Sequence, residues 1–338
     1  MIDKYTDVVL QGADLTRVQT ADAFAEIMSG RLTDEQIARF LAALADHGET
    51  VDEIVGAAEV LRRHATPIAC SDADAVDTCG TGGDGISTFN VSTAAAIIAA
   101  GAGACVAKHG NFTNTRQSGS AEVFQALGVN LDASPAVLAR CLREARIAFL
   151  FAAKLHPAMK HAAAARRRLA RRTIFNLIGP LTNPAGVRRQ VVGVARPQLL
   201  PVIAEALRQL GALHALVVHG HDGLCDLTIT GPSRYVELRD GCLTEHTIRP
   251  EDVGLKAGLL DALRIDSPDA SAVVIRAILA GQIGPQRDHA LLNAGATLLA
   301  AGVAADLRDG VARAAAAIDS GAAAAALERL IRISGESA

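Results

Sequence analysis

The chain has no run of about eighteen apolar residues, the length at which a segment reads as a membrane-spanning helix. Its opening stretch, MIDKYTDVVLQGADL, lacks the charged-then-apolar pattern of a secretory signal. The six cysteines, Cys70, Cys79, Cys105, Cys141, Cys225 and Cys242, show no CxxC spacing and no paired framework, so reduced thiols are expected rather than a disulfide scaffold. Tryptophan is absent, and the formal net charge is only -3, which supplies no global attraction to nucleic acid or to an anionic membrane. There is no solenoid repeat and no linker long enough to separate independent domains. These absences leave a cytoplasmic globular protein as the expectation. Its 338 residues, 50% of them hydrophobic, are enough to bury a large core, and the length favours two lobes.

What is present reads first as helix. Thr33-Asp34-Glu35-Gln36 and Thr50-Val51-Asp52-Glu53 are capping boxes, predicting helices to about Asp46 and about His64, and Ala21 to Ser29 is a shorter amphipathic run. Pro67 ends this helical region. Further on, Ile147 to Phe151 reads as a buried strand, and Gln190 to Val194, Pro197 to Leu210 and Ala215 to His219 as strand, helix, strand. That alternation implies a parallel sheet with crossover helices. Leu227 to Ile229 and Tyr235 to Leu238 read as shorter strands, Thr173 to Pro184 as a loop-rich turn, and the chain from Ala270 onward as helices.

The stretch around which the rest is organised runs from Asp77 to Gly119. A short apolar lead enters the glycine loop Gly80-Thr81-Gly82-Gly83-Asp84-Gly85. Asn90, Ser92 and Thr93 start an alanine-rich helix ending near Gly101, and an apolar run then leads to Lys108-His109-Gly110-Asn111. Strand, glycine loop, helix start and a lysine after the next strand form an anion cradle: glycine lets the backbone approach closely, and the helix N-terminus offers unpaired N–H groups and a favourable dipole. The loop is neither a Walker A sequence nor a GxGxxG fingerprint. The combination of GTGGDG (Gly80–Gly85), TFNVST (Thr88–Thr93), KHGN (Lys108–Asn111) and SGSAE (Ser118–Glu122) resembles the signature of anthranilate phosphoribosyltransferases, and the resemblance extends over essentially the whole chain.

That resemblance implies an α/β fold in which a small all-helical lobe, residues 1–66 joined by about 158–185, packs on a larger α/β lobe, residues 67–157 and 186–338, with a mostly parallel central sheet. It implies phosphoribosyl pyrophosphate against Gly80, Gly83, Asp84, Thr88, Asn90, Val91, Ser92, Thr93, Lys108, His109, Gly110, Asn111, Arg116 and Ser120. It implies an anthranilate site at Gly80, Asn111, His156 and Arg166. Mg²⁺ would be held by Ser92 and Asp226, with Cys225 beside them, and Lys108 and Asp226 would act on the leaving group. A homodimer is implied by the family alone. An arginine suits an aromatic acid because its planar fork binds a carboxylate bidentately.

The chain departs from the family pattern in three places. Cys225-Asp226 stands where the family usually has Asp-Glu, and a thiol is a poor ligand for magnesium, which prefers hard oxygen donors. After Asn111 comes Phe112 rather than the family's arginine, with Arg116 a few positions on. Ala153 and Lys154 precede Leu155-His156. Two alternatives to anthranilate transfer follow. One is a paralogue using the same donor and another aromatic amine; the other is a non-catalytic nucleic-acid-binding relative using the run Arg166, Arg167, Arg168, Arg171 and Arg172.

Overall fold

A computed structural model describes residues 1–112 and 118–336. Four helices open the chain: α1 (Ile2–Leu10), α2 (Arg17–Met28), α3 (Asp34–His47) and α4 (Val51–His64). The two capping boxes expected from the sequence start α3 and α4. A third, Thr16 with Gln19, starts α2 at Arg17 rather than at Ala21. Each box satisfies backbone N–H groups that the first helical turn leaves without partners.

The chain then alternates strand and helix: β1 (Val76–Gly80), α5 (Val91–Gly101), β2 (Val106–Gly110), α6 (Ser120–Ala126), α7 (Pro135–Glu144) and β3 (Ile147–Phe151). The short α8 (Ala152–Leu155), α9 (Lys160–Leu169) and α10 (Ile174–Ile178) lead to β4 (Arg189–Gly193), α11 (Leu199–Gln209) and β5 (His214–Gly220). A hairpin of β6 (Ser233–Arg239) and β7 (Cys242–Ile248) follows, and α12 (Pro268–Leu279), α13 (Pro285–Ala300), α14 (Leu307–Asp319) and α15 (Ala322–Ser334) complete the fold. The sheet order is β3-β2-β1-β4-β5-β6-β7. The first five are parallel, and β6 and β7 are antiparallel. The chain steps outward from β1 to β3 and then returns to lay β4 on the other side of β1. The carboxyl ends of β1, β2, β4 and β5 therefore meet where the strand order reverses, the position at which open α/β sheets bind ligands.

Period-2 alternation feeds two cores. Val191 of β4 and Leu216 and Val218 of β5 enter a core with α5, α13 and α15, whereas Val192, Ala215 and Val217 point the other way. That second core takes in α11 and is continuous with the N-terminal helices, with Ala162 and Ala165 of α9, and with Ile174 and Phe175 of α10. The helical lobe is thus anchored through one face of the sheet. Helix α5 is buried along nearly its whole length, and its alanines let it lie against both α13 and α15.

Two expectations are corrected and one element is added. Within Thr173–Pro184, read as a loop, Ile174–Ile178 forms α10, because Ile174, Phe175, Leu177 and Ile178 all find buried positions. Asn176 Oδ1 accepts from the Thr173 N–H at 3.1 Å, and Gly179 and Pro180 end the helix. Leu227–Ile229 is not a strand: the Leu227 N–H and carbonyl are bonded by the Asn293 side chain of α13, at 3.1 and 2.9 Å, in place of a neighbouring strand. Strand β7 is an addition to the elements read from the sequence. The two-residue turn Asp240-Gly241, both at positive φ, carries β6 back into it, as a hairpin of primed type requires. Among the described residues no helix is long and apolar enough to cross a membrane.

Burial fixes three histidines as neutral, and this has a consequence for stability. The pKa values of His109, His156 and His289 are pushed down by desolvation to about 3, about 4 and about 4. In an unfolded chain a histidine binds its proton below about 6.5. The unfolded state therefore takes up more protons than the native state as pH falls from there toward about 4, and native stability declines across that window. The unfolding midpoint is expected to drop between about pH 7 and about pH 4.5. His289→Leu should flatten that drop, since it removes a fully buried imidazole packed edge-on against Phe89. An unchanged pH dependence in His289→Leu would remove this histidine from the account.

Candidate active site

A cleft of about 530 Å³ opens at the carboxyl ends of these strands, between the sheet and α9 and α10. Its floor is the loop that follows β1. Gly82 and Gly83 both adopt positive φ, 61° and 82°, a conformation that L side chains rarely take. The loop feeds α5, whose first turn is capped by Asn90: its Oδ1 accepts from the Thr93 N–H at 3.1 Å. Ser92 also donates to Asn90 Oδ1, at 3.2 Å. Gly80, Gly82, Gly83, Asn90, Val91 and Ser92 all line the cleft.

Lys108 is a strand residue rather than a loop residue, because β2 extends to Gly110. Only 1% of it is exposed, and its Nζ donates to the Thr78 carbonyl at 2.6 Å and to Ser92 Oγ at 3.1 Å. Burial pulls its pKa down, while the carboxylates of Asp77 and Asp226 favour its charged form. Asp77, wholly buried, accepts from the His109 N–H at 3.0 Å and from Asn183 Nδ2 at 2.9 Å. Asn183 also donates to the Ala107 carbonyl at 2.7 Å, so one side chain ties β1 to β2 beneath the site. A buried cation thus stands at the helix start with its counter-charge behind it.

At the other end the cleft is walled by Asn111, His156, Met159, Ala163, Arg166, Phe175 and Pro180. His156 Nε2 lies 3.2 Å from His109 Nε2, so with both rings neutral one nitrogen carries the proton and the other accepts it. Arg166 sits over the Phe175 ring, 5.0 Å from guanidinium carbon to centroid. The arginine run divides by helical position. Ala162 and Ala165 bury one face of α9 and bring Arg166 with them, whereas Arg167 and Arg168 are exposed. Arg171, past a left-handed turn at Ala170, pairs with Asp46, and Arg172 reaches back to the glycine loop.

His109, Gly110 and Ser120 also line the cleft, and Cys225 and Asp226 enter it from the loop after β5. Asp84, Thr88 and Thr93 do not. Asp84 Oδ2 accepts from the Cys225 N–H at 3.1 Å, Thr88 bridges to Arg264, and Thr93 is buried in the first turn of α5. Arg116 lies outside the described residues. Lys154 pairs with Asp132 away from the cleft, while Phe112, 47% exposed, lines its mouth and meets Phe151 edge-on at 5.0 Å. The Cys225 thiol is 3.8 Å from the Gly82 carbonyl. Sequence reasoning missed Arg172, which a run of arginines hides, and Gly193, whose carbonyl accepts from the Thr81 N–H, which packs directly against the Cys225 backbone and which no local motif marks. It also missed Asn183, whose NP context reads only as a turn.

The α/β part of the chain, residues 72–324, matches the family model "Glycosyl transferase family, a/b domain", and residues 4–65 match "Glycosyl transferase family, helical bundle domain". The glycine-loop cleft beside a helical bundle is thus that of a two-part glycosyltransferase, and the chain is an enzyme of that class. It is 52% identical over 98% of both chains to an anthranilate phosphoribosyltransferase of Anaeromyxobacter sp. (strain K), and 49% identical over 96% of both to one of Rhodopseudomonas palustris. The crystal structure of anthranilate phosphoribosyltransferase from Thermus thermophilus superposes with a TM-score of 0.93 at 40% identity, covering 98% of this chain and 99% of that one. The enzyme of Saccharomyces cerevisiae in complex with PRPP and Mg gives 0.90 at 26% identity, over 98% and 97%. The chain belongs to the anthranilate phosphoribosyltransferase family.

Proposed function

We propose that the enzyme transfers the phosphoribosyl group of phosphoribosyl pyrophosphate to anthranilate, releasing pyrophosphate and forming N-(5-phosphoribosyl)anthranilate for tryptophan synthesis. The observation that carries this reading is the polarity of one cleft. A glycine loop, a helix N-terminus and a buried lysine lie at one end; at the other lies a largely apolar wall that also carries Asn111 and His156, with Arg166 the one arginine among the described residues that lines it. The first end suits a polyanion. The second suits a flat aromatic carboxylate, with the Arg166 guanidinium for the acid group and Asn111 and the neutral His156 to orient the amine.

Displacement at an anomeric carbon passes through an oxocarbenium-like state. The protein has to stabilise the departing pyrophosphate and hold a weak nucleophile in line. Lys108 and the loop amides serve the first task. The aromatic amine sheds its proton late, so no strong base is required.

The residues fit a magnesium ion carried on the donor. Asp226 offers a carboxylate in the cleft, and Ser92 Oγ, which donates to Asn90 and accepts from Lys108, keeps one lone pair. Among the described residues no three His, Cys, Asp or Glu converge as a metal cage, so substrate phosphates would complete the shell, as is usual for this ion. Bound there, it would neutralise pyrophosphate charge.

The test is pyrophosphate release with phosphoribosyl pyrophosphate, Mg²⁺ and anthranilate, beside a panel of other aromatic amines. Efficient turnover with anthranilate supports the reading. Preference for another amine would favour the paralogue, for which Phe112 at the cleft mouth is the one structural argument. Arg166→Lys is expected to raise the KM for anthranilate about tenfold or more, through loss of the bidentate fork, with the donor KM little changed. Equal acceptor KM values in variant and parent would overturn the role of Arg166.

A further inference from the structure

Arg172 lies between α9 and α10, outside the lining of the cleft, yet its guanidinium spans to the glycine loop. Nη1 donates to the Gly82 carbonyl at 3.0 Å. A Cβ on Gly83 would lie only 2.5 Å from Nη1, so the loop and the guanidinium are packed as close as a glycine permits. From another side the Cys225 thiol contacts the same carbonyl, at 3.8 Å, while the Cys225 N–H holds Asp84 Oδ2 at 3.1 Å. The Gly82 carbonyl therefore accepts from the neighbouring Thr81 hydroxyl, at 3.3 Å, and from two side chains in distant parts of the chain.

Peptide geometry turns that grip into function. In a trans peptide the carbonyl and the next N–H point in opposite directions. Holding the Gly82 carbonyl toward Arg172 directs the Gly83 N–H the other way. Gly82 and Gly83, both at positive φ, have no side chain to restrict the rotation of that peptide. The Thr81 hydroxyl alone, on the adjacent residue and at 3.3 Å, is a weak local hold that leaves the peptide able to flip, and a flipped peptide presents a carbonyl where a phosphate needs a donor.

We propose that Arg172 is a positioning residue that sets the Gly82–Gly83 peptide so that its amide serves the anionic donor, with the Cys225 thiol as the second anchor of the same carbonyl. The inference rests on the functional reading above. It gives Cys225 a purpose other than metal binding: a thiol donates to a carbonyl, and an ionised carboxylate does not. It also links the two ends of the cleft, because Arg172 follows the helix that carries Arg166.

The experiment compares the parent protein with Arg172→Gln and Arg172→Lys. For each, kcat and both KM values are measured, and binding of inorganic pyrophosphate with Mg²⁺ is followed by calorimetry. Arg172→Gln is expected to raise the donor KM and weaken pyrophosphate binding by about tenfold to a hundredfold, the usual effect of losing a charge-assisted hydrogen bond. The anthranilate KM should change far less. Arg172→Lys, which keeps a charged donor, should recover part of the loss, and it serves alone if the glutamine variant does not fold. Unchanged donor KM and pyrophosphate binding in a folded variant would overturn the inference, as would equal losses for donor and acceptor, which mark a general structural role. A parent protein that neither turns over nor binds pyrophosphate would instead overturn the functional reading, and this inference with it.

Discussion

Lys108→Met is expected to cut turnover by about a hundredfold to a thousandfold, the cost of removing one preorganised charge from a water-poor site, while leaving the fold intact. The lysine is only 1% exposed, and its charge is held at the expense of desolvation, which lowers its pKa. Methionine has nearly the same length and carries no charge to desolvate. The losses are the hydrogen bonds to the Thr78 carbonyl and Ser92 Oγ, each worth about 1 kcal/mol net. Removing one partner of a buried pair leaves the other charge uncompensated, at a cost of about 3–5 kcal/mol; Asp77 keeps its hydrogen bonds from the His109 N–H and Asn183 Nδ2, which soften that loss. The diagnostic result is therefore a split: activity nearly gone in a protein that still folds cooperatively, with a lowered unfolding midpoint. A Lys108→Met protein that keeps about a tenth of its turnover, far above the loss expected for such a charge, would show that the lysine supports structure and not the leaving group.

Gly193→Ala is expected to damage both activity and stability. Gly193 ends β4 and pairs with Gly80 of β1, and its carbonyl accepts from the Thr81 N–H at 2.8 Å. An added Cβ would lie 1.6 Å from the Cys225 carbonyl oxygen and 2.5 Å from its carbon. These are backbone atoms, so no rotamer change relieves the overlap. The strand or the Cys225-Asp226 loop has to move, at a cost of about 1–3 kcal/mol by the usual range for overpacking. If Asp226 acts as proposed, a displacement of about 1 Å there lowers rate by about a hundredfold. Thermal unfolding and turnover measured together check both parts. A variant with normal kinetics would mean that the Asp226 loop is not held in register by β4.

These two positions differ in how they can be read. Lys108 stands in a recognisable KHGN after an apolar run, and its proposed role in an anion site can be read from residue type and spacing. Gly193 sits in an ordinary strand end, GVAR, where nothing local distinguishes it. It matters because β4 is laid beside β1 and the loop after β5 is folded across it, and those contacts are made between segments far apart in sequence. The arginine run shows the same limit. Five arginines between Arg166 and Arg172 look like one solvated face, yet Arg166 is turned inward by the buried alanines of α9 and Arg172 by the left-handed Ala170, while Arg171 meets Asp46 of α3. Strand β7 escapes notice for a different reason: mostly exposed, it carries little of the apolar alternation that reveals a strand, and only its Asp240-Gly241 turn announces it.

Local chemistry written along the chain was enough for the capping boxes that start α3 and α4, for the glycine loop and helix start beside the cleft, for the strand–helix alternation of a parallel sheet, and for the family signature that runs through them. Which side chains share the cleft and which merely border it emerged with the folded arrangement. Asp84 turns to the Cys225 backbone, Lys154 to Asp132, and the Gly82 carbonyl to Arg172. Backbone conformation responds to a few neighbouring residues, whereas the direction of a side chain across a cleft is settled by packing and hydrogen bonds between elements that meet only once the sheet has formed.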